Sequence, residues 1–232
     1  MSSKTFPSLK TESQLLADGA RYVIGIDEVG RGALAGPVAV GLALLDSHSA
    51  GFIAGDWPQD LADSKLMTPK SRAATAPLTA SWVAAHEVAY ASAAEIDSVG
   101  IVGALVLAAT RALDALLASW PDVASLVADG TVILLDGSHN WLAGHTGAFA
   151  VHHQTKADRD CVSVAAAALL AKVARDELMV ELAQQHPLYG FENHKGYGAA
   201  THLDAIREHG PSSEHRVTWL SRILAGDGEL DF

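Results

Sequence analysis

A chain of 232 residues, 49% of them hydrophobic, can bury one substantial core. Its formal charge of −11, with no run of Lys or Arg, excludes a broad basic footprint, so any nucleic-acid binding has to be local and metal-assisted. The single cysteine, Cys161, rules out an internal disulfide, and no apolar run reads as long enough to cross ~30 Å of hydrocarbon, so a cytoplasmic protein with no membrane association is expected.

Residues 1–20 mix Ser, Thr, Lys and Glu without a strong period and read as a flexible segment with a short helix near 12–17. Residues 22–27 form the first expected strand, and the unbroken apolar run 38–45 the second, buried on both faces under helices. Residues 46–60 read as loop. Thr68-Pro69 signals a helix start, and residues 82–91 a third strand. A buried helix is expected over 101–117, a strand over 131–137 and another over 148–152. The Ala-rich stretch 163–184 has high helix propensity. Residues 186–224 read as a helical extension of a catalytic domain spanning 21–185, with helices near 200–209 and 215–224, and residues 225–232 as a flexible tail.

Four acids stand out: Asp27, Glu28, Asp136 and Asp158. Asp27 and Asp136 each close an apolar strand, and Asp158 lies just ahead of the Ala-rich helix. Carboxylates in such places need a cation, because an unpaired buried charge costs several kcal/mol. Ligands gather outside strand ends in helix-covered sheets. An all-oxygen cluster calls for a hard cation, Mg²⁺ or Mn²⁺, and suits phosphoryl transfer by two metals about 4 Å apart. Gly30-x-Gly32-x-x-x-Gly36 loosely matches a dinucleotide-binding turn. Asp27 and Glu28 would then face the pyrophosphate, and Pro37 with the strand-like 38–45 leaves no room for the helix that turn needs. Asp63-Ser64-Lys65 reads as a surface turn, or as a site where Lys65 meets a phosphate. Tyr197, between Gly196 and Gly198, sits on bare backbone and can stack on a sugar or base. The histidines form no metal-ligand pattern, and Cys161 reads as a packed thiol.

Taken in order, Asp-Glu-Val-Gly-Arg-Gly at 27–32, Asp-Ser-Lys at 63–65, Leu-Leu-Asp-Gly at 134–137, Lys-Ala-Asp at 156–158, Ala-Lys-Val-Ala-Arg-Asp at 171–176, His-Lys-Gly-Tyr-Gly at 194–198 and Glu-His-Arg at 214–216 resemble the ribonuclease HII family. The resemblance implies an α/β fold, a ribonuclease H-like mixed sheet flanked by helices with a C-terminal helical extension. It implies a metal-dependent endoribonuclease acting on RNA–DNA hybrids and on ribonucleotides embedded in duplex DNA, leaving 3′-hydroxyl and 5′-phosphate ends. Asp27, Glu28, Asp136 and Asp158 would be the catalytic, metal-binding acids. Gly30, Arg31 and Gly32 would sense the 2′-hydroxyl, Tyr197 would stack on the following deoxyribose, and Ser64, Lys65 and Lys195 would complete the substrate contacts. Intact acids argue against a non-catalytic hybrid-binding relative, and Gly30-Arg31-Gly32 with Tyr197 against another nuclease of the same fold. Lys-Ala-Asp stands where the family usually has Lys-Gly-Asp, which should stiffen the loop carrying Asp158, and the 210–216 segment lacks a second proline. A monomer is expected. Leu230 and Phe232 resemble a sliding-clamp-binding peptide, although Asp227 stands where that peptide opens with Gln.

Overall fold

The computed structural model describes residues 6–221. Helix α1 (Lys10–Ala17) leads into β1 (Tyr22–Val29), and β2 (Val38–Asp46) returns antiparallel to it. Part of the stretch expected to be loop is a short helix, α2 (Ala50–Ala54), capped by the Ser49 hydroxyl. Helix α3 (Pro69–Trp82) starts at the expected signal: the Thr68 hydroxyl accepts from the Ser71 N–H, and Pro69 needs no such partner. Because α3 runs through Trp82, strand β3 (Ala85–Ala91) starts later than the sequence suggested. Helix α4 (Ala93–Ser119) starts earlier, at a capping box in which Ser92 and Glu95 satisfy each other's backbone N–H groups, and it kinks at Gly100. Helix α5 (Val123–Ala128) precedes β4 (Thr131–Asp136), and β5 (Ala150–Gln154) leads to α6 (Ala157–Asp160), α7 (Val162–Gln185), α8 (Phe191–His194) and α9 (Ala200–His209). Within the helix expected over 215–224 the described residues hold a 3₁₀ turn, Val217–Trp219, and the stretch beyond residue 221 lies outside the described residues.

The five strands order as β3-β2-β1-β4-β5, with β2 antiparallel to β1 and β3, and β4 parallel to both β1 and β5. Strand alternation gives the sheet two unlike faces. Ile24, Ile26, Leu42, Leu44, Ile133 and Leu135 face α4 and pack on Leu105, Ala109 and Leu116. By length and hydropathy α4 could span a membrane, longer than the apolar run read from the sequence, but its inward stripe is buried in this core. The other face is small. A side chain at Gly25 would meet the Ser163 carbonyl carbon at 2.3 Å, and one at Gly41 the Ala167 carbonyl oxygen at 2.4 Å. Glycines in β1 and β2 and alanines in α7 therefore let helix and sheet backbones nearly touch, which fixes α7 against the strand that carries Asp27.

Residues 6–20 are tied to the body. Glu12 is fully buried, and its Oε1 accepts from both the N–H and the hydroxyl of Ser163 at 2.8 Å, closing the start of α7. The anion stands where the helix dipole favours it, while burial still raises its pKa.

At the other end of α7, Leu34, Ala35, Met179, Phe191, Ile206 and Leu220 form one cluster, so the C-terminal extension shares a core with the loop after β1. Beneath it His194 stacks on His202 (4.3 Å between centroids), and His202 Nε2 lies 3.1 Å from His215 Nε2. Burial pushes both His202 and His215 down to about 4. Unfolded rings take a proton near 6.5 and folded ones near 4, so their contribution to stability is complete above pH 6.5. It is lost as pH falls from 6.5 toward 4, at up to about 1.4 kcal/mol per pH unit for each ring. Urea unfolding at pH 7 and at pH 5 should give a clearly lower free energy at pH 5. Equal values at the two pH values would refute the neutral histidine cluster.

Candidate active site

Two neighbouring parallel strands bring the first two acids together. Ile26 of β1 pairs with Leu135 of β4, one residue short of Asp27 and Asp136. By alternation both carboxylates lie on the α7 side of the sheet. Asp27 is only 4% exposed, and β1 continues past it to Val29. Asp136 accepts backbone N–H bonds from Ala157 (2.7 Å) and Asp158 (3.4 Å), which draws α6 to the end of β4. Asp158 is itself buried and receives the Lys65 ammonium at 2.9 Å. Glu28 accepts from Arg31 Nη1 at 3.2 Å.

Two adjoining cavities hold these groups. One, of about 240 Å³, is lined by Asp27, Glu28, Gly30, Arg31, Gly32, Ser64, Lys65, Lys172 and Tyr197. The other, of about 370 Å³, is lined by Asp136, Asp158, Asp63, Lys156 and Arg159, and Lys65 borders both. A larger groove between α3 and α7, about 430 Å³, contains none of the four acids. Five basic side chains, Arg31, Lys65, Lys156, Arg159 and Lys172, thus surround the acids, although no basic run exists in the sequence.

The electrostatics are those of a crowded anionic site. Burial, then the charges of Glu28, Asp136 and Asp158, raise Asp27 well above the usual carboxylate range. Burial raises Glu28 against the pull of Arg31, and burial with the Asp158 charge raises Asp136 against its two backbone donors. Burial works against the Lys65 charge. Its bond to Asp158 and the charges of Asp158, Asp27 and Asp63 outweigh that and hold the ammonium protonated beyond the ordinary lysine range. Among the described residues no three acids converge on one point that would hold an ion. The donor set still fits a hard divalent cation, being all carboxylate oxygen and short of positive charge.

The loop carrying Gly30-Arg31-Gly32 is held by two arginines that the sequence reading quoted within motifs and gave no role. Arg175 and Arg216 are both fully buried, and among the described residues neither has a carboxylate partner within salt-bridge distance. Arg175 donates to the carbonyls of Pro37 (2.8 Å), Lys195 (3.0 Å) and Ala35 (3.2 Å). Arg216 donates to those of Gly30 (2.7 Å), Arg31 (2.8 Å) and Gly36 (3.1 Å). Burial and the Arg175 charge push Arg216 down to about 9. Gly30 has φ 85°, and a side chain there would meet Arg175 Nε at 2.1 Å. At Gly32 no protein atom lies within 4 Å of a notional side chain, so its backbone faces open space.

Tyr197 is 38% exposed over the first cavity, with the Arg175 guanidinium 5.6 Å from its ring centroid. His202 Nδ1 bonds its carbonyl at 2.8 Å, so the histidine cluster supports this loop. Ser64 is buried in the cavity wall. Lys195 is not brought in: its ammonium turns to the Glu192 carbonyl, and it lines neither cavity. The stiffening expected from Ala157 does not fall where the sequence suggested. The left-handed residue is Lys156 (φ 64°), while Ala157 is helical and gives its N–H to Asp136. Leu230 and Phe232 lie outside the described residues.

Comparison with known proteins agrees with this geometry. The chain is 40% identical to the ribonuclease HII of Streptomyces avermitilis, over 92% of this chain and 83% of that protein. In fold it resembles Bst-RNase HIII in complex with Mn²⁺ (TM-score 0.66, 24% identity, 94% of this chain and 73% of that one). It also resembles the ribonuclease HII solved in a complex with PCNA from Archaeoglobus fulgidus (TM-score 0.63, 22% identity, 85% and 94% covered). The family model described as Ribonuclease HII matches residues 24–222. A match of that extent, on a ribonuclease H-like sheet carrying this carboxylate cluster, means that the chain belongs to the ribonuclease HII family and is a ribonuclease H hydrolase.

Proposed function

We propose that this ribonuclease H is a divalent-metal-dependent endonuclease that cuts the RNA strand of RNA–DNA hybrids and incises at single ribonucleotides in duplex DNA. It leaves 3′-hydroxyl and 5′-phosphate ends. The observation that carries this reading is the pairing of β1 with β4, which sets Asp27 beside Asp136 and within the charge field of Glu28 and Asp158. Asp27, Glu28, Asp136 and Asp158 would hold Mg²⁺ or Mn²⁺. Bound there, such ions offset the carboxylate repulsion, activate water and stabilise the leaving oxygen. We read the enzyme as a monomer, and the buried Cys161 thiol, pushed up to about 12 by burial, suits a cytoplasmic setting.

The chain's own residues then read the junction. Gly30-Arg31-Gly32 borders the cavity, its Gly30 and Arg31 carbonyls held by Arg216, and at Gly32 the open backbone leaves room for a 2′-hydroxyl to be bonded. Tyr197 offers a ring face to the next sugar, a stacking contact of ~1–3 kcal/mol. Lys65 and Lys172 bring positive charge for the backbone phosphates. The PCNA complex of the Archaeoglobus relative supports a clamp contact here, and the likeness of Leu230 and Phe232 to a clamp-binding peptide is the reason to look for it at those residues.

The direct test is incubation with a duplex carrying one embedded ribonucleotide, with Mg²⁺, with Mn²⁺ and with chelator. Incision at the ribonucleotide in either metal and none in chelator is expected. Asp27→Asn should lose activity by orders of magnitude while melting no lower than wild type, because it removes a charge that its surroundings oppose. Near wild-type cleavage by that variant would remove Asp27 from the mechanism.

Gly30→Ala sets a methyl group against Arg175 and strains a left-handed residue, at roughly 1–3 kcal/mol. It should melt at lower temperature and lose incision at a single ribonucleotide more than it loses Mn²⁺ affinity. Unchanged incision by a folded variant would show that the loop does not read the junction.

Titrating a purified sliding clamp against the full chain and against one truncated after Ala225 should show binding by the full chain only. Equal affinities, or none, would end the clamp proposal.

A further inference from the structure

Among the described residues Lys65 is the one basic side chain that borders both cavities. Two other cavity-lining cations are engaged by acids outside the catalytic four: Lys172 by Asp176 and Arg159 by Asp160, each at 2.7 Å. Arg31 serves Glu28 at the rim. Lys65 instead reaches the middle of the cluster, 2.9 Å from Asp158 Oδ2, and its charge also acts on Asp27, Glu28 and Asp136. It does so from a short 3₁₀ turn, Ser64–Leu66, with its side chain 69% exposed, so it can leave without repacking the core.

We infer that Lys65 is a built-in counter-ion: its ammonium holds Asp158 in place of a divalent cation, so the Lys65–Asp158 contact and metal binding exclude one another. This rests on the carboxylate cluster being the metal site proposed above. With Arg31 on Glu28 and Lys65 on Asp158, Asp27 and Asp136 still lack a cation of their own, and a divalent ion offsets their charge better than a monovalent one. The cation therefore displaces the lysine. The freed ammonium, on a flexible stem beside the cluster, is then available to a substrate phosphate. Metal occupancy and substrate contact become linked through a single side chain, and the metal-free protein does not carry four bare carboxylates.

The test is calorimetric titration of Mn²⁺, without nucleic acid, into the wild type, Lys65→Met and Lys65→Arg, with Asp27→Asn as a control. Removing the competitor should tighten Mn²⁺ binding by Lys65→Met about tenfold, while Lys65→Arg, which keeps a cation on Asp158, should stay near wild type. In chelator Lys65→Met should melt below the wild type, and in saturating Mn²⁺ the two should converge. Equal or weaker Mn²⁺ affinity in Lys65→Met, or equal tightening in Lys65→Arg, would overturn the counter-ion role. Wild type and Asp27→Asn binding Mn²⁺ alike, or neither binding it, would instead overturn the metal site on which the inference stands.

Discussion

Placing carboxylates side by side in a protein interior is costly, and much of this molecule serves to make that arrangement possible. Asp27 is almost fully buried, and the charges of three other acids raise its pKa. Left alone, such a cluster would neutralise by taking up protons. Here three of the four acids have a distinct compensation. Asp136 has two backbone N–H groups, Glu28 has Arg31, and Asp158 has Lys65. Among the described residues Asp27 has no such hydrogen-bonded partner, which makes it the carboxylate with most to gain from a bound cation. Repulsion that would be a defect in a structural core is here a source of metal affinity.

The precision of the site comes from its surroundings. Glycines in β1 and β2 let α7 rest on the sheet backbone, and Glu12 closes the start of that helix. Further along α7, Arg175 reaches the loop after β1 from one side, and Arg216 of the extension reaches it from the other. Both guanidiniums spend their donors on main-chain carbonyls, so the loop is held through its backbone. The rigid backbone then presents Gly30-Arg31-Gly32 and Tyr197 to one cavity. Two buried like charges carry a desolvation cost, expressed in the lowered pKa of Arg216, which well-bonded carbonyls offset.

Much of this was legible in the sequence, and the parts that were not have physical reasons. Apolar strands closing on acids announced β1, β4 and the carboxylate site, because few other arrangements tolerate Asp there. The ordered motifs pointed to the family. Boundaries slipped where local signals compete: Trp82 and Val83 look strand-like, but α3 continues through Trp82, and the capping box at Ser92 starts α4 before its apolar stretch. The roles of Arg175 and Arg216 were hidden because a buried arginine bonded to carbonyls is written like a surface one. The basic surround was hidden because its five members come from separate segments, which tertiary folding alone assembles. Lys195 looked like a substrate contact from its neighbours, yet its left-handed backbone (φ 53°) accompanies a side chain that bonds Glu192 instead of lining the cavity.

The central claim is that these four carboxylates are a metal site that acts on the ribonucleotide strand. The most direct measurement is a crystal structure of the Asp27→Asn variant, or of the wild type with Ca²⁺ in place of the working metal, bound to a duplex with one ribonucleotide, alongside a Mn²⁺ soak read by anomalous scattering. The account predicts anomalous peaks among Asp27, Glu28, Asp136 and Asp158 in the wild type. It also predicts the ribose 2′-hydroxyl on the Gly30–Gly32 backbone and the Lys65 ammonium withdrawn from Asp158 onto a phosphate. Metal bound elsewhere, or a duplex seated away from both cavities, would contradict it.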